Sequence, residues 1–443
     1  MGPRNRWWSS FESEGEIRLM SILIDLLNEN KKIDGFKVNT TKTETSELFF
    51  VHKKLETVRH TNTSSVKATV YVNHDDFFGQ SGFTVYASNT KDEIKEKIEM
   101  GYQNALLVNN KPFILPGKEV NEYQSNSNFN NYSLNDLASL ISEAVFKADA
   151  YDDGGINALE IFVTKKIVTV ENSNGLKKTQ VLYDTMIEAI PTWNGASESV
   201  ELYEQYHIAS LNLDEITAEI KEKMEEVRAR FNAQKPASKI KGNIILESQE
   251  INEMIDTIVS NANYGAIYTH QNLYEIGDSV QTSNDCDKLN VTIVGNLDGS
   301  VHSSFFDEDG ISLDSQEIIK DGKIINGYGS NKLCQYLDKP VTGMLPCTKL
   351  KAGSLSKEEL YKDPYLECVS LSGIQIDQYN DYIGGEIRLG YYFDGNKKYP
   401  VTGISFSGKL SDALNTIKLS KETKLKGAYL GPEIACISKM EIL

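Results

Sequence analysis

Six histidines are the residues of this chain most able to hold a catalytic metal ion. They are His52, His60, His74, His207, His270 and His302. None of them belongs to an H-E-x-x-H or H-E-x-x-x-H pair, in which helical spacing places two imidazoles on one face for zinc. His270 and Glu275 supply one imidazole and one carboxylate, without a second helical histidine beside them. The sequence therefore predicts no metal ligand, no catalytic residue and no bound cofactor.

An acidic run follows His302 and is a second place where a cation could bind. Residues 307–310 read DEDG, without the alternating ligands and closing glutamate of a calcium loop. One interpretation is a metal ion held by His302 and these carboxylates. The other, which we favour, is a solvated acidic loop between two strands.

Nucleophilic and nucleotide chemistry have little support in the sequence. Residues 403–408 read GISFSG, whose second glycine comes one position too late for G-x-S-x-G. Neither a G-x-x-x-x-G-K-[ST] loop nor a G-x-G-x-x-G helix start is present. Five cysteines, odd in number and without a C-x-x-C pair, predict buried, reduced thiols.

Glu386 and Arg388 are the candidates for binding a substrate. They lie in residues 384–395, GGEIRLGYYFDG, where glycines let another chain approach the backbone closely. The planar guanidinium of Arg388 matches a carboxylate, such as a peptide C-terminus. The alternative is a twisted strand pair with an internal contact between Arg388 and Glu386.

Composition describes a soluble globular protein with an acidic surface. The chain has 443 residues, of which 40% are hydrophobic and 25% charged. Its net charge of −17 repels phosphate backbones, so we expect no nucleic-acid partner. No stretch reaches the length of about 20 apolar residues that a membrane span needs. The first apolar run follows three glutamates, unlike a secretory signal, so we expect a cytoplasmic protein with no membrane contact.

Helices and strands alternate in the first half of the chain. Residues 66–72 alternate at period two, and residues 77–87 read as the next strand. Thr90 and Glu93 form a capping box that predicts a helix start. Asn174 and Gly175 predict the turn between two paired strands. Residues 213–231 have apolar residues at helical spacing, and we expect the pairs Glu219–Lys223 and Glu226–Arg230 on their solvated side.

A change in character near residue 236 predicts two domains. Residues 234–241, QKPASKIK, are polar and contain a proline, and frequent glycine turns between short strands follow them. We expect an α+β protein with a mixed N-terminal domain at 1–236. The second domain, 237–443, is expected to be a mostly antiparallel, barrel-like β domain.

Several segments, taken in their order, resemble the TldD/TldE (TldD/PmbA) family of bacterial peptidase subunits. Residues 62–107 are similar to the strand pair and helix of its N-terminal core. Residues 306–310, FDEDG, resemble its F-D-x-E-G turn, and residues 318–328 resemble the strand pair after it. Residues 394–408 resemble its C-terminal P-V-x-x-x-x-x-x-G segment. The resemblance spans most of residues 15–443 and is strongest after residue 240.

The resemblance implies a role in peptide proteolysis. The family pairs a metallopeptidase subunit, TldD, which carries H-E-x-x-x-H, with a homologue, TldE (PmbA), that lacks it, and the pair is linked to modulation of DNA gyrase. This chain reads THQNLYE at 269–275 and so resembles the TldE side. The zinc-ligand role of the catalytic subunit's C-terminal cysteine does not carry over to Cys436.

Two functions therefore remain open. The first is a TldE-like subunit, without its own zinc, that presents peptides to a TldD-like metallopeptidase in a heterodimer. The second is a non-enzymatic homo-oligomeric scaffold or peptide-binding protein, such as a homodimer, on the same fold. Whether the chain itself is a hydrolase is open at this point.

Overall fold

The computed structural model describes residues 14–196 and 198–443, in a mixture of helices and strands that confirms the α+β class. The α-helices of this part are α1 Glu14–Glu29, α2 Lys91–Ala105, α3 Leu134–Ala148, α4 Leu213–Asn232, α5 Ser248–Val259, α6 Tyr264–Tyr268, α7 Asn331–Tyr336, α8 Lys357–Leu360 and α9 Leu410–Thr416. Strands of the first half are β1 Gly35–Val51, β2 Lys54–His74, β3 Phe77–Val85, β4 Val120–Gln124, β5 Gly154–Asn172, β6 Lys177–Asn194, β7 Ser199–Glu201 and β8 Glu204–Ile208. Strands of the second half are β9 Asn243–Glu247, β10 Val291–Val294, β11 Ser315–Lys320, β12 Lys323–Ile324, β13 Cys347–Leu350, β14 Tyr365–Asp377, β15 Tyr382–Phe393, β16 Lys398–Val401, β17 Ile404–Gly408, β18 Lys418–Leu419, β19 Thr423–Lys426, β20 Tyr429–Pro432, β21 Ile434–Ile437 and β22 Glu441–Ile442.

The strands of the first half form one sheet in the order β3-β2-β1-β5-β6-β4, with β7 and β8 also paired to β6. Two tight turns set its register. His52 and Lys53 both have positive φ, as a two-residue hairpin turn requires. Gly175, with φ of 85°, confirms the turn predicted at Asn174 and Gly175.

Helices cover one face of this sheet at its two ends. At one end α1 packs on Phe36, Val38 and other apolar side chains of β1 and β2, next to α2. At the other end α3 and α4 pack on β5 and β6. The predicted capping box is present, because the Thr90 hydroxyl accepts the Glu93 N–H and the Glu93 carboxylate accepts the Thr90 N–H. The middle of this face is left without a helix.

The strands of the second half form two mostly antiparallel sheets. One has the order β12-β11-β10-β13-β20-β19, and the other β18-β21-β9-β14-β15-β17-β22 with β16 beside β15. Helix α5 contacts both sheets, and its buried Ile251, Met254 and Ile255 join the core between them. All five cysteines are free and buried, as predicted. The division into domains 1–236 and 237–443 stays a prediction.

The acidic loop at residues 307–310 is only partly solvated, because Glu308 is exposed while the rest of the loop packs against the first sheet. The Asp309 carboxylate lies 2.5 Å from Lys37 Nζ, and the Glu308 carbonyl accepts a hydrogen bond from Asn39 Nδ2. The Asp307 carboxylate accepts the N–H groups of Asp309 and other loop residues. This loop therefore joins the two halves of the chain.

His302 lies beside charged residues of the first sheet. Partial burial is the main cause that lowers the pKa of His302, and the charge of His207 lowers it further. Lys166 acts in the same direction, whereas the Asp184 carboxylate opposes the shift. His207 Nδ1 and Asp184 Oδ1 are 2.8 Å apart. His302 thus lies close enough to the first sheet for these charges to act on it.

The charged side of α4 also faces the second half, so the two ion pairs predicted within this helix are wrong. Glu219 pairs with Lys424 and Lys426 of β19. Lys223 pairs with Glu226 and Glu204 instead of with Glu219. Partners on other elements take up Glu219 because α4 is packed and not solvated on that side, while Lys223 keeps one partner within the helix, Glu226. No helix within residues 14–196 and 198–443 is long and apolar enough to cross a membrane.

We expect the loss of Lys178 to be costly at the contact between the halves. Its side chain is fully buried, and its Nζ lies 2.7 Å from Ser312 Oγ and 2.8 Å from a Glu119 carboxylate oxygen. Lys178→Ala removes a buried stem and leaves those polar groups without their donor, so it should lower the free energy of unfolding by about 2–4 kcal/mol.

The matched control is Lys177→Ala, at the exposed neighbouring position, which should change stability by less than about 0.5 kcal/mol. Urea unfolding followed by circular dichroism measures both variants. Equal stability of the two would contradict the role given to Lys178.

Candidate functional site

An open trough of 1010 Å³ lies over the middle of the first sheet, where no helix covers it. Helix α1 forms one wall, with Met20 and Ile24. The other wall is formed by Tyr132 and Leu134, at the start of α3. The floor consists of side chains from β1, β5 and β6. All of these belong to the first half of the chain.

Strand register explains why these floor side chains lie together. Residues directly opposite each other on antiparallel strands point to the same face. Three rows of neighbours cross the floor: Thr40, Thr169 and Thr179; Lys42, Ile167 and Val181; and Glu44, Lys165 and Tyr183. The floor is thus hydroxyl-rich in its first row, mostly apolar in its second and charged in its third.

The electrostatics of the floor follow from its partial burial. Burial lowers the pKa of the Lys165 ammonium, and the Glu44 carboxylate opposes that shift. Burial raises the pKa of the Tyr183 phenol, and Glu44 acts in the same direction. The hydroxyls of Thr169 and Thr179 are 3.0 Å apart. The trough therefore offers hydrogen-bonding groups and charge between two apolar walls.

The sequence contained a signal for this trough that we missed. On one face of β1, apolar Phe36 and Val38 precede polar Thr40, Lys42 and Glu44, and apolar Leu48 comes after them. A polar interval within an otherwise apolar face indicates where a sheet loses its helical cover. Comparing every second residue along a strand, which all lie on one face, reveals such an interval.

The segment at 269–275 is a loop and does not fit a zinc ion. Helix α6 ends at Tyr268, and His270 has a φ of 57°, so His270 and Glu275 do not share a helix face. Cys436 is buried in β21, and burial raises the pKa of its thiol to about 11, which opposes the thiolate that zinc binds. Among the described residues no three His, Cys, Asp or Glu side chains are grouped to hold a metal ion.

Glu386 and Arg388 lie on β15, away from the trough lining. Both side chains are exposed, on the same face of the strand. Ser372 Oγ donates to the Glu386 carboxylate at 3.0 Å. Burial lowers the pKa of Arg230, in the last turn of α4, and the charge of Arg388 lowers it further. Arg388 therefore lies near the end of α4. The ion pairs of the described residues do not include one between Glu386 and Arg388.

A second group of ionisable residues lies between α4 and the second half. Burial raises the pKa of Glu247 to about 8 and that of Glu250 to about 7, while Lys223 opposes both shifts. Lys223 itself lies 2.9 Å from Glu226. Perturbed carboxylates of this kind occur both at functional sites and in structural networks. Lys223 pairs with Glu226 of α4 and with Glu204 of β8, and its charge also acts on Glu247, so we interpret this group as a structural network.

The C-terminal part of the chain matches a known family. Residues 239–443 match the model of the PmbA/TldA metallopeptidase C-terminal domain. The predicted relationship to the TldD/PmbA family is confirmed. Residues 239–443 are thus related to a peptidase family, and the chain's own activity and partners are taken up as proposals below. A search among curated proteins finds no match.

Solved structures share the fold of the whole chain. TldE from Thermococcus kodakarensis aligns with a TM-score of 0.77 at 13% identity, over 97% of this chain and 99% of that one. A proposed modulator of DNA gyrase from Thermotoga maritima has the same TM-score at 15% identity, over 96% and 100%. Another, from Bacteroides thetaiotaomicron, has 0.77 at 13% identity, over 97% and 99%. At these identities the likeness shows the TldE-type fold alone.

The raised pKa of Glu247 predicts how stability depends on pH. Between about pH 4.5 and pH 8 the folded protein keeps a proton that an unfolded glutamate releases. Stability should therefore fall as pH rises through this window, by at most about 1.4 kcal/mol per pH unit for this residue. Glu247→Gln should flatten the fall and leave the variant more stable than wild type at pH 8.

Thermal unfolding measured from pH 5 to pH 9 tests this expectation. Glu96→Gln, on the exposed side of α2, is the control and should keep the wild-type slope. A Glu247→Gln variant with an unchanged pH profile would rule out the assignment.

Proposed function

We propose that this protein is a TldE-like subunit of a TldD/TldE-type metallopeptidase complex, and that it holds an unfolded peptide in the trough. The observation that carries the proposal is the uncovered middle of the first sheet, where 1010 Å³ of space lies over a partly polar floor. The family relationship of residues 239–443 supports the peptidase context. The domains remain proposed as 1–236 and 237–443.

The size and chemistry of the trough favour an extended peptide over a small metabolite. Sites for small molecules have volumes of about 300–1,000 Å³ and bury most of their ligand. This trough is partly open to solvent and reaches the upper end of that range. A peptide backbone needs both donors and acceptors, which the Thr169 and Thr179 hydroxyls and Tyr183 supply. Met20 and Ile24 offer apolar contact to its side chains.

Hydrolysis is assigned to the partner in this proposal, because the residues of this chain do not fit a zinc ion. His270 and Glu275 lie in a loop, and Cys436 is buried as a neutral thiol. The partner would supply the metal-activated water, while this chain binds and orients the peptide. Its residues carry out no bond-breaking step.

Reconstitution tests the division of labour between the subunits. Purified alone, the protein should contain no stoichiometric zinc by elemental analysis and should not cleave an unstructured peptide. Addition of a TldD-type subunit from the same organism should give a complex that cleaves it, with the zinc on that subunit. Stoichiometric zinc together with hydrolysis by this chain alone would disprove the proposal. A homodimer that binds peptide and ignores the TldD-type subunit would favour the scaffold function instead.

Filling the trough tests where the peptide binds. Thr169→Trp places a large ring on the middle strand of the floor's first row and should weaken binding of an unstructured peptide about 10-fold or more, because the ring occupies the peptide's space. Thr63→Trp, at an exposed position of β2, is the control and should bind as wild type does. Fluorescence anisotropy with a labelled decapeptide measures both. Equal affinities would exclude the trough as the site.

Glu386 and Arg388 remain proposed as a second contact for peptide. Because Arg388 is exposed, its guanidinium has room for a carboxylate that arrives from solution. The same titrations with Arg388→Ala should show weaker binding of a peptide acid, with no change for the corresponding amide. Identical losses for the acid and the amide would remove Arg388 from the site.

A further inference from the structure

The segment that precedes α1 is rich in large aromatic residues. It consists of residues 1–13, MGPRNRWWSSFES, which lie outside the described residues. Two of the three tryptophans of the chain, Trp7 and Trp8, are in this segment, and Phe11 follows them. Tryptophan and arginine are the residue types most enriched at the centres of binding surfaces. Because 13 residues are too few to form a core of their own, apolar surface elsewhere has to cover these rings.

The trough lies within reach of this segment. Glu14 begins α1, and Met20 of the trough wall follows six residues later, about 9 Å along the helix. The trough lining reaches from β1 across β5 and β6 to β4, a width of about 14 Å. A chain of 13 residues spans up to about 43 Å when extended. The segment is therefore long enough to cross the whole trough.

The trough offers apolar surface and hydrogen-bond acceptors to aromatic side chains. Met20 and Ile24 on one wall and Leu134 on the other are only partly buried, and Tyr132 is 43% exposed. The floor between these walls carries threonine hydroxyls, including that of Thr169, which can accept the indole N–H of a tryptophan. The chemistry of the trough thus suits a tryptophan pair.

The segment and the trough also have opposite net charges. Arg4 and Arg6 outnumber Glu12, so the segment is basic in a chain whose net charge is −17. Four carboxylates and three lysines line the trough. Among these carboxylates, Asp25 of α1 and Glu122 of β4 are exposed, and each can receive a guanidinium. Charge therefore favours this segment as the occupant.

We propose that residues 1–13 occupy the trough of their own chain and compete there with peptide. The proposal rests on the proposed function and adds the regulation of the same site. A short tether gives an effective concentration of about 1 mM. A segment whose dissociation constant as a free peptide is about 0.1 mM would therefore occupy the trough about 90% of the time. The segment of a second copy is the poorer occupant, because it lacks this tether and two acidic chains repel each other.

Removal of the segment tests the competition. The chain without residues 1–13 should bind the labelled decapeptide about 10-fold more tightly than the full chain, because its trough is always available. Trp7→Ala combined with Trp8→Ala should give most of the same gain at unchanged length. The matched control is Ser9→Ala with Ser10→Ala, in the same segment, which should bind as wild type does. Fluorescence anisotropy measures the affinities.

Tryptophan fluorescence tests where the segment lies. In Trp193→Phe, Trp7 and Trp8 are the only tryptophans, and acrylamide should quench them less than it quenches a synthetic peptide of residues 1–13. Addition of Thr169→Phe, which fills part of the floor, should raise the quenching to that of the peptide. Thr63→Phe, at an exposed position of β2, is the control and should leave the tryptophans shielded. Circular dichroism checks that each variant is folded.

The outcomes separate this inference from the function it rests on. If peptide binds the full and the shortened chain equally, and the tryptophans are quenched as in the free peptide, the inference is wrong and the proposed function stands. Shielding that survives Thr169→Phe would place the segment elsewhere and also overturn the inference. If shielding depends on Thr169 but no form of the protein binds the decapeptide, the segment is the occupant and the proposed peptide site fails. A dimer that dissociates when residues 1–13 are removed would assign the trough to the segment of a second copy and overturn the inference.

Discussion

The first sheet packs against helices on one face and against the second half of the chain on the other. The side chains of its strands must therefore suit both contacts, and the rest of the structure depends on this constraint. Side chains along a strand alternate between faces, so each of β1, β5 and β6 supplies both sets. On β1, Phe36 and Val38 face the helices, whereas Lys37 and Asn39 meet the acidic loop of the second half. Because a slip of one residue would exchange the two sets, the tight turns that fix the register matter to both contacts.

The contact between the two halves depends largely on charged and polar side chains. Lys178 is buried between Ser312 and Glu119, and Gln180 bonds Ser304 and the Phe305 N–H. Such groups contribute little net free energy when paired but cost much when one partner is lost. They therefore specify how the halves fit together more than they stabilise them. Apolar contacts such as the stacked rings of Tyr123 and Phe305 accompany them.

The features that the sequence predicted correctly are local ones. The Thr90–Glu93 capping box and the Asn174–Gly175 turn each involve residues within a few positions of one another. Their physical causes lie within the window that can be read along the chain. Pairs such as Glu219 with Lys426 join residues more than 200 positions apart, and no local pattern specifies them.

The candidate site was not predicted, for a related reason. Period-two patterns show which residues of β1 share a face, and Thr40, Lys42 and Glu44 do share one. They do not show that α1 and α3 stop short of that part of the sheet, because helix position depends on packing across the whole domain. The glycine-rich segment 384–395 drew attention to Glu386, and the family resemblance drew attention to residues 269–275; both lie in the second half, whereas the trough lies in the first.

The trough is lined by the first half of the chain alone, which has a consequence for the peptide-presenting role. Its lining comes from β1, β5, β6, α1 and the start of α3, whereas the family match covers residues 239–443. Substitutions at sites that are far apart and share no partners usually act additively. A chain that binds peptide at one place and its partner at another can lose either property alone. In the proposed role, peptide binding and complex formation would therefore be independent measurements, and a peptide held in the trough would have to extend to the partner's metal site to be cleaved.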